Sequence, residues 1–387
     1  MLLENEHFVP TRVVACEHAL DALGELACEA GARRALVVCG RSSASRSGVL
    51  DRALELLDAA GVAGEAFAGA SPEPESDEVD RAAARAIGVG ADLVVGLGGG
   101  SAIDVAKLAA VVARSGGECV DYEAGRPVQD SLPVVAVPTT AGSGSEATPY
   151  AVVSNSDSGR KFTVTDTRLF PGIALVDPAL TVGAPRVVTL APGLDAWVHA
   201  LEATLSARPT SLVEPIAARV LRLVARFLPI ALAEPFHVEA RVRLSEAATL
   251  AGMVIAHART GLVHTASVAL APHLRLPHGL LNAVLVPAVL AFNLPSYGGR
   301  LAGAACAMGL PARTDEEAIE EIRAWLDALG VPGDPAGNRL DPAVVPGLVA
   351  RVRQDAGLAE VNVRCISDAD LESLFLGWIG AATRSAA

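Results

Sequence analysis

Residues Leu93–Lys107 read LVVGLGGGSAIDVAK. An apolar run of strand length passes through Gly98, Gly99, Gly100 and Ser101 directly into a helical pattern. Phosphate binding calls for this arrangement. Bare backbone lets a pyrophosphate approach a helix N-terminus, whose unpaired N–H groups and dipole favour negative charge. The segment is neither G-x-G-x-x-G nor a P-loop ending in GK[ST]. By itself it also fits a tight strand-to-helix turn. A second segment, Val137–Glu146 (VPTTAGSGSE), follows another strand pattern. There Thr139, Thr140, Ser143 and Ser145 offer hydroxyls, and Gly142 and Gly144 offer backbone freedom. Two such loops at successive strand ends would face one crevice.

Working outward, Ala35–Cys39 reads as a buried strand and Gly48–Ala60 as an amphipathic helix. The acidic, Pro-containing Ser71–Glu78 leads into a helix over Val79–Ile87. Ala102–Ala113 continues as a helix, Val134–Val137 is a strand, and Phe162–Thr165 and Ile173–Val176 add two more. Such alternation predicts a parallel sheet covered on both faces. From about Val188 the helical period takes over, in Pro192–Leu205, Leu212–Leu228, Val238–His257, Glu316–Leu329 and Asp368–Ala382. The change falls in a Pro-punctuated stretch near residues 178–190. The expected fold is α/β: a Rossmann-like dinucleotide-binding domain over 1–183, then an all-helical, metal- and substrate-binding domain over 184–387, with the site in the cleft between them.

Composition narrows the function. At 387 residues, 51% of them hydrophobic, the chain can bury two cores without disulfides. A formal charge of −13 without clustered Lys and Arg argues against a nucleic-acid surface. The six cysteines are scattered with no CxxC pair, which reads as reduced thiols. The opening MLLENEHFVP is acidic where a signal peptide is basic, and the apolar stretches are interrupted before membrane-spanning length. A cytoplasmic protein is expected.

Gly193–Glu202 (GLDAWVHALE) places Asp195 and His199 four apart, on one helix face. Alone, the pair could be an Asp–His hydrogen bond. His264 and His278 follow in GLVHTASVALAPHLRLPHGLLNA. On one unbroken helix they would stand roughly 21 Å apart, so sharing an ion requires the chain to fold back. Pro272 and Pro277 supply the break, with a new helix starting near His278. One Asp and three His make an N₃O set that suits Fe²⁺ or Zn²⁺.

Together these motifs resemble the iron-containing (group III) alcohol dehydrogenases. The family's GGGS-x-x-D-x-A-K is Gly98–Lys107, and its P-T-T-x-G-[TS]-G-S-E is Pro138–Glu146. Its G-x-D-A-x-x-H-A-x-E is Gly193–Glu202. Its G-x-x-H, with H-G-x-x-N-A fourteen residues later, is His264 and His278–Ala283. Order and spacing hold over residues 10–295. The resemblance implies a divalent metal, usually iron, on Asp195, His199, His264 and His278. It implies a pyrophosphate at Gly98, Gly99, Gly100 and Ser101, and Thr139, Thr140 and Ser143 near the nicotinamide end. It also sets Lys161 near the cofactor ribose, gives Asp104 a part in forming the glycine turn, and leads to a homodimer.

Two departures matter. Many NAD-using members carry an Asp at the end of the opening strand, where this chain has Gly40, followed by Arg41, Ser42 and Ser43. An acid there repels a 2′-phosphate, whereas these residues can receive one, so NADPH is expected over NADH. The family often has another His four residues after the third ligand, and here that position is Val268. His273 could replace it only if the helix ends before Pro272, and His257 lies about 10 Å along the axis. Proton transfer through water or a ribose hydroxyl is the expected alternative.

The activity implied is hydride transfer between nicotinamide C4 and a small aldehyde or ketone. Arg160, Lys161, Arg208, Arg259 and Arg275 would suit an anionic one, such as a semialdehyde or phosphonoacetaldehyde. The TPYAV and VLAFN runs resemble the maleylacetate reductase branch, which is the nearest rival reading. More distant rivals are a lyase of the dehydroquinate synthase type and a noncatalytic binding protein.

Overall fold

The computed structural model describes residues 7–41, 46–208, 211–274, 276–333, 340–355 and 357–384. Ser42, Ser43 and Arg275 therefore lie outside the described residues. By its internal contacts the chain divides into two units. One joins His7–Ala184 with Pro235–Ala256, and the other joins Pro185–Glu234 with His257–Ala387.

In the first unit the strands are β1 (Arg12–Ala15), β2 (Arg34–Gly40), β3 (Ala63–Ala70), β4 (Leu93–Gly98), β5 (Val134–Pro138), β6 (Tyr150–Ser154), β7 (Lys161–Thr165) and β8 (Ile173–Val176). The helices are α1 (Leu23–Glu29), α2 (Val49–Ala59), α3 (Ser76–Val89), α4 (Gly100–Ser115) and α5 (Cys119–Glu123). Among the described residues, six strands form one sheet in the order β1-β8-β5-β4-β2-β3, every pair parallel. Its central strands are apolar throughout because both faces are covered. Leu36, Val38 and Val94 pack into one cluster with α3 and α4. Val37, Cys39, Leu93 and Val95 turn the other way, onto α1 and α2, as the period-2 alternation of a strand requires.

The strand order also places the ligand end of the sheet. From β2 the chain crosses outward to β3, and from β4 it crosses the opposite way to β5 and β8. The switch point therefore lies between β2 and β4, the position where open α/β sheets bind ligands beyond the strand C-termini. Gly40 and the glycine turn flank it.

Some strands differ from expectation. Phe162–Thr165 lies in β7, which among the described residues pairs with β6 alone, as an antiparallel ribbon outside the main sheet. β1 and β3 have no counterpart in the sequence reading, and both are edge strands. β1 is four residues long, and β3 (AGEAFAGA) has the Ala and Gly content of a poor strand former.

The second unit contains α6 (Arg186–Leu205), α7 (Val213–Ala233), α9 (Leu262–Leu270), α10 (His278–Asn293), α11 (Arg300–Met308), α12 (Asp315–Ala328), α13 (Val345–Val352), α14 (Leu358–Val361) and α15 (Asp368–Arg384). Between α7 and α9 runs α8 (Val238–Ala258), and Pro235–Ala256 groups with the sheet rather than with the other helices. Prolines mislead the sequence reading at two helix ends. Pro192 lies inside α6, six residues past its start, and Pro229 lies inside α7, which continues to Ala233. Residues 278–296 also correct the expectation that no apolar stretch reaches spanning length. They are long and apolar enough, but the stretch is 56% buried in the protein and includes α10.

Candidate metal centre and nucleotide loops

α6 presents Asp195, His199 and Glu202 on one face, at i, i+4 and i+7. All three side chains are buried. Glu202 reaches the start of α9, accepting from Val263 N at 2.7 Å and Gly261 N at 2.9 Å. A carboxylate suits the unpaired N–H groups of a helix N-terminus. The same carboxylate holds His264 Nδ1 at 2.6 Å, which turns Nε2 towards Asp195 Oδ1, 3.4 Å away. His199 stacks on the His264 ring, with centroids 4.7 Å apart.

α9 ends at Leu270, Ala271–His273 form a 3₁₀ turn, and α10 begins at His278 directly after Pro277. Its second residue, Gly279, lies so close to α6 that a Cβ there would fall 2.0 Å from Ala191 O and 2.8 Å from Asp195 Cβ. That approach brings His278 Nε2 to 3.8 Å from Asp195 Oδ1, the same distance as His199 Nε2.

One carboxylate oxygen thus faces three imidazole nitrogens at 3.4–3.8 Å. Ligand atoms of a four-coordinate ion with bonds near 2.1 Å stand about 3.4 Å apart. Asp195, His199 and His264 bring their ligand atoms within 4.8 Å of one another and fit a divalent cation, and His278 beside them would complete an N₃O set that suits Fe²⁺ or Zn²⁺. Asn282, one turn after His278 and fully buried, donates Nδ2 to Asp195 Oδ1 at 2.9 Å. It also lies 3.0 and 3.3 Å from the His264 and His278 Nε2 atoms.

Electrostatics follow from this crowding. Burial would raise the Asp195 carboxyl, but His199, then His264 and His278, hold it far below the usual carboxylate range. Burial pulls His199 down to about 4 against the attraction of Asp195, so it is neutral and able to ligate at pH 7. Burial opposes the charge on His264 too, yet Glu202 and Asp195 prevail and lift it to about 9.

In the first unit, β4 and β5 end side by side, Gly98 opposite Pro138, and Thr139 N donates to Gly98 O at 2.9 Å. The two expected loops are therefore neighbours. A Cβ on Gly100 would fall 2.6 Å from Ser143 Oγ, and one on Gly99 would fall 3.2 Å from Thr140 Oγ1. The glycines admit this close approach, and the N-cap residue Gly99 gives the α4 N-terminus no side-chain cap. Ser101 Oγ donates to Pro72 O at 2.7 Å, and Lys161 pairs with Glu73. Asp104 ties α4 to the second loop and to β6, accepting from Ser145 Oγ and from Val152 N. Lys107, fully buried, donates to Thr148 O at 3.0 Å and Tyr150 O at 2.9 Å on the same segment, and burial pushes it down to about 8. The loop's other side rests on α8, where Gly144, at φ +65°, meets Gly252 backbone to backbone.

A sequence model described as iron-containing alcohol dehydrogenase matches residues 10–178, and one for the C-terminal part of that family matches 189–375. The chain belongs to the iron-containing alcohol dehydrogenase family. It is 33% identical to 1,3-propanediol dehydrogenase of Klebsiella pneumoniae, over 96% of this chain and 97% of the relative. It is 33% identical to NAD-dependent methanol dehydrogenase of Bacillus methanolicus, over 84% and 87%. Sulfoacetaldehyde reductase from Bifidobacterium kashiwanohense, solved with NAD⁺, superposes with a TM-score of 0.89 at 28% identity, covering 97% of this chain and 99% of that one.

Within this alcohol dehydrogenase, Gly40 closes β2, and Arg41, just beyond it, pairs with Glu78 at 2.6 Å. α9 does end before Pro272, as a role for His273 requires, and His273 is exposed on the following turn. Val268 is half-buried on α9. Glu202 and Asn282 are the site residues that sequence reasoning missed. Both stand inside the quoted motifs, and Glu202 is two turns from Asp195 on the same face. Most of their partners, however, belong to other helices: His264 for Glu202, and Asp195 and His264 for Asn282.

Proposed function

We propose that this iron-containing alcohol dehydrogenase interconverts a small primary alcohol with its aldehyde, taking NADPH in preference to NADH. The observation that carries the reading is the convergence of buried Asp195 Oδ1 with the buried His199 and His264 and the half-buried His278 at 3.4–3.8 Å. A divalent ion there, ferrous iron in the first place and zinc in the second, supplies Lewis acidity towards a carbonyl oxygen, and the coenzyme supplies the hydride. Asp195, His199, His264 and His278 hold the ion, and Glu202 keeps the His264 ring oriented with its Nδ1 proton engaged. The bare backbone of Gly99 and Gly100 at the α4 N-terminus receives the pyrophosphate. Thr139, Thr140 and Ser143 line the coenzyme beside it. Gly40 leaves no acid on β2 itself, and Arg41, 63% exposed though paired with Glu78, would be the residue to meet a 2′-phosphate.

Among substrates, likeness to sulfoacetaldehyde reductase favours an anionic aldehyde as a second reading. Against it, Arg160, Lys161, Arg208 and Arg259 each have an acidic partner, in Glu123, Glu73, Glu360 and Asp355. The same reading makes the enzyme a homodimer, on family resemblance alone.

The test is oxidation of NADPH and NADH by anaerobically purified, Fe²⁺-loaded protein with neutral and anionic short aldehydes. Turnover that disappears with the metal in His264→Ala and His278→Ala is the expected result. Variants that keep both metal and turnover would sink the reading.

A further inference from the structure

The acidic segment Ser71–Glu78 stands behind the residues read as binding the coenzyme. Pro72 O accepts from Ser101 Oγ at 2.7 Å, Glu73 pairs with Lys161, and Glu78 pairs with Arg41. The last of these contacts is built differently from a surface ion pair. Glu78, in the first turn of α3, is 2% exposed. Its Oε1 takes the Arg41 guanidinium at 2.6 Å, and its Oε2 accepts from Ser71 N at 3.0 Å and Ser71 Oγ at 3.1 Å. Arg41 itself is 63% exposed and follows β2 at the switch point, beside the strand that carries the glycine turn.

A carboxylate so buried has little water to fall back on. If Arg41 turns to a phosphate, Glu78 is left with the Ser71 N–H and a hydroxyl proton that Ser71 also offers to Glu73 O at 2.8 Å, and it faces the incoming charge. A 2′-hydroxyl raises no such conflict.

We propose that Glu78 is a positioning residue that sets coenzyme preference, by holding Arg41 and weakening its grip on a 2′-phosphate. The inference rests on the reading that Arg41 faces the 2′ position of the coenzyme. Glu78→Gln keeps the length and the acceptor for Ser71 while removing the charge. In the metal-loaded enzyme it is expected to raise kcat/KM for NADPH relative to NADH about tenfold. The change should appear in the KM for NADPH, with kcat and the NADH constants little altered. In an Arg41→Ala background the same substitution should move the ratio less than about twofold, because the effect passes through Arg41.

The outcomes separate the two layers. If Arg41→Ala weakens NADPH alone but Glu78→Gln leaves the ratio unchanged, Arg41 meets the phosphate and the role given to Glu78 is wrong. If Glu78→Gln weakens both coenzymes equally, its role is structural and the inference falls. If Arg41→Ala changes neither coenzyme, the underlying reading of Arg41 falls too.

Discussion

At the scale of single residues, Glu202 orients a proposed metal ligand without being one. It holds His264 Nδ1 at 2.6 Å and two backbone N–H groups of the α9 N-terminus, so the ring has one orientation. Glu202 also leads the neighbours that lift His264 to about 9, against burial. The sign follows directly. A raised value means that the ring is protonated at pH 7 before an ion binds, and the ion must displace that proton. Metal affinity should therefore rise with pH, up to about tenfold per unit, and level off near 9. Glu202→Gln should flatten that slope and weaken binding by about 10–100-fold on the plateau. A cobalt titration against a competing chelator, from pH 6 to 9.5, reads both; equal affinities and slopes in the two proteins would refute the role. Asp195 and His199 were legible as one helix face from their spacing alone. The hold of Glu202 on His264 was not, because it joins residues 62 apart in sequence.

At the scale of elements, the centre depends on how closely α6 and α10 approach. The approach is set by Gly279, whose missing Cβ would fall 2.0 Å from a carbonyl oxygen of α6. Neither that backbone atom nor the adjoining Asp195 can step aside without moving a proposed ligand. Gly279→Ala should cost about 1–3 kcal/mol of stability, as overpacking does, and should lower metal content more than it lowers coenzyme binding. Thermal melting with metal analysis and a nucleotide titration checks this; a variant with native metal content would show that α10 has room to shift. Helix identity was readable from the 3.6-residue period, but helix ends were not. Pro192 and Pro229 look like terminal residues in sequence and lie inside α6 and α7 instead, where tertiary packing outweighs the lost hydrogen bond. Edge strands β1 and β3 escaped for a related reason. They form through pairing with β8 and β2 rather than through strong propensity of their own.

At the scale of the whole molecule, the proposed metal ligands all belong to the unit that joins Pro185–Glu234 with His257–Ala387, and the glycine turn belongs to the other. An ion that binds only folded protein stabilises what holds it, by about 2.7 kcal/mol at a hundredfold excess over Kd. Chelation should therefore lower the melting of the helical unit, and added nucleotide should raise that of the sheet unit. Calorimetry with each ligand alone tests the assignment, and a chelator without effect on any transition would contradict it. Sequence by itself determined the parallel sheet, the two glycine-containing loops at neighbouring strand ends, the helical second half and the family, because these rest on periodicity and on motifs within a few residues of one another. Tertiary structure alone decided the switch point between β2 and β4, the attachment of α8 to the sheet, the clamp of Asp104 and Lys107 on the second loop, and the pairing of Arg41 with Glu78. Each of these is a contact between segments that local propensity leaves independent, and only packing selects which of them meet.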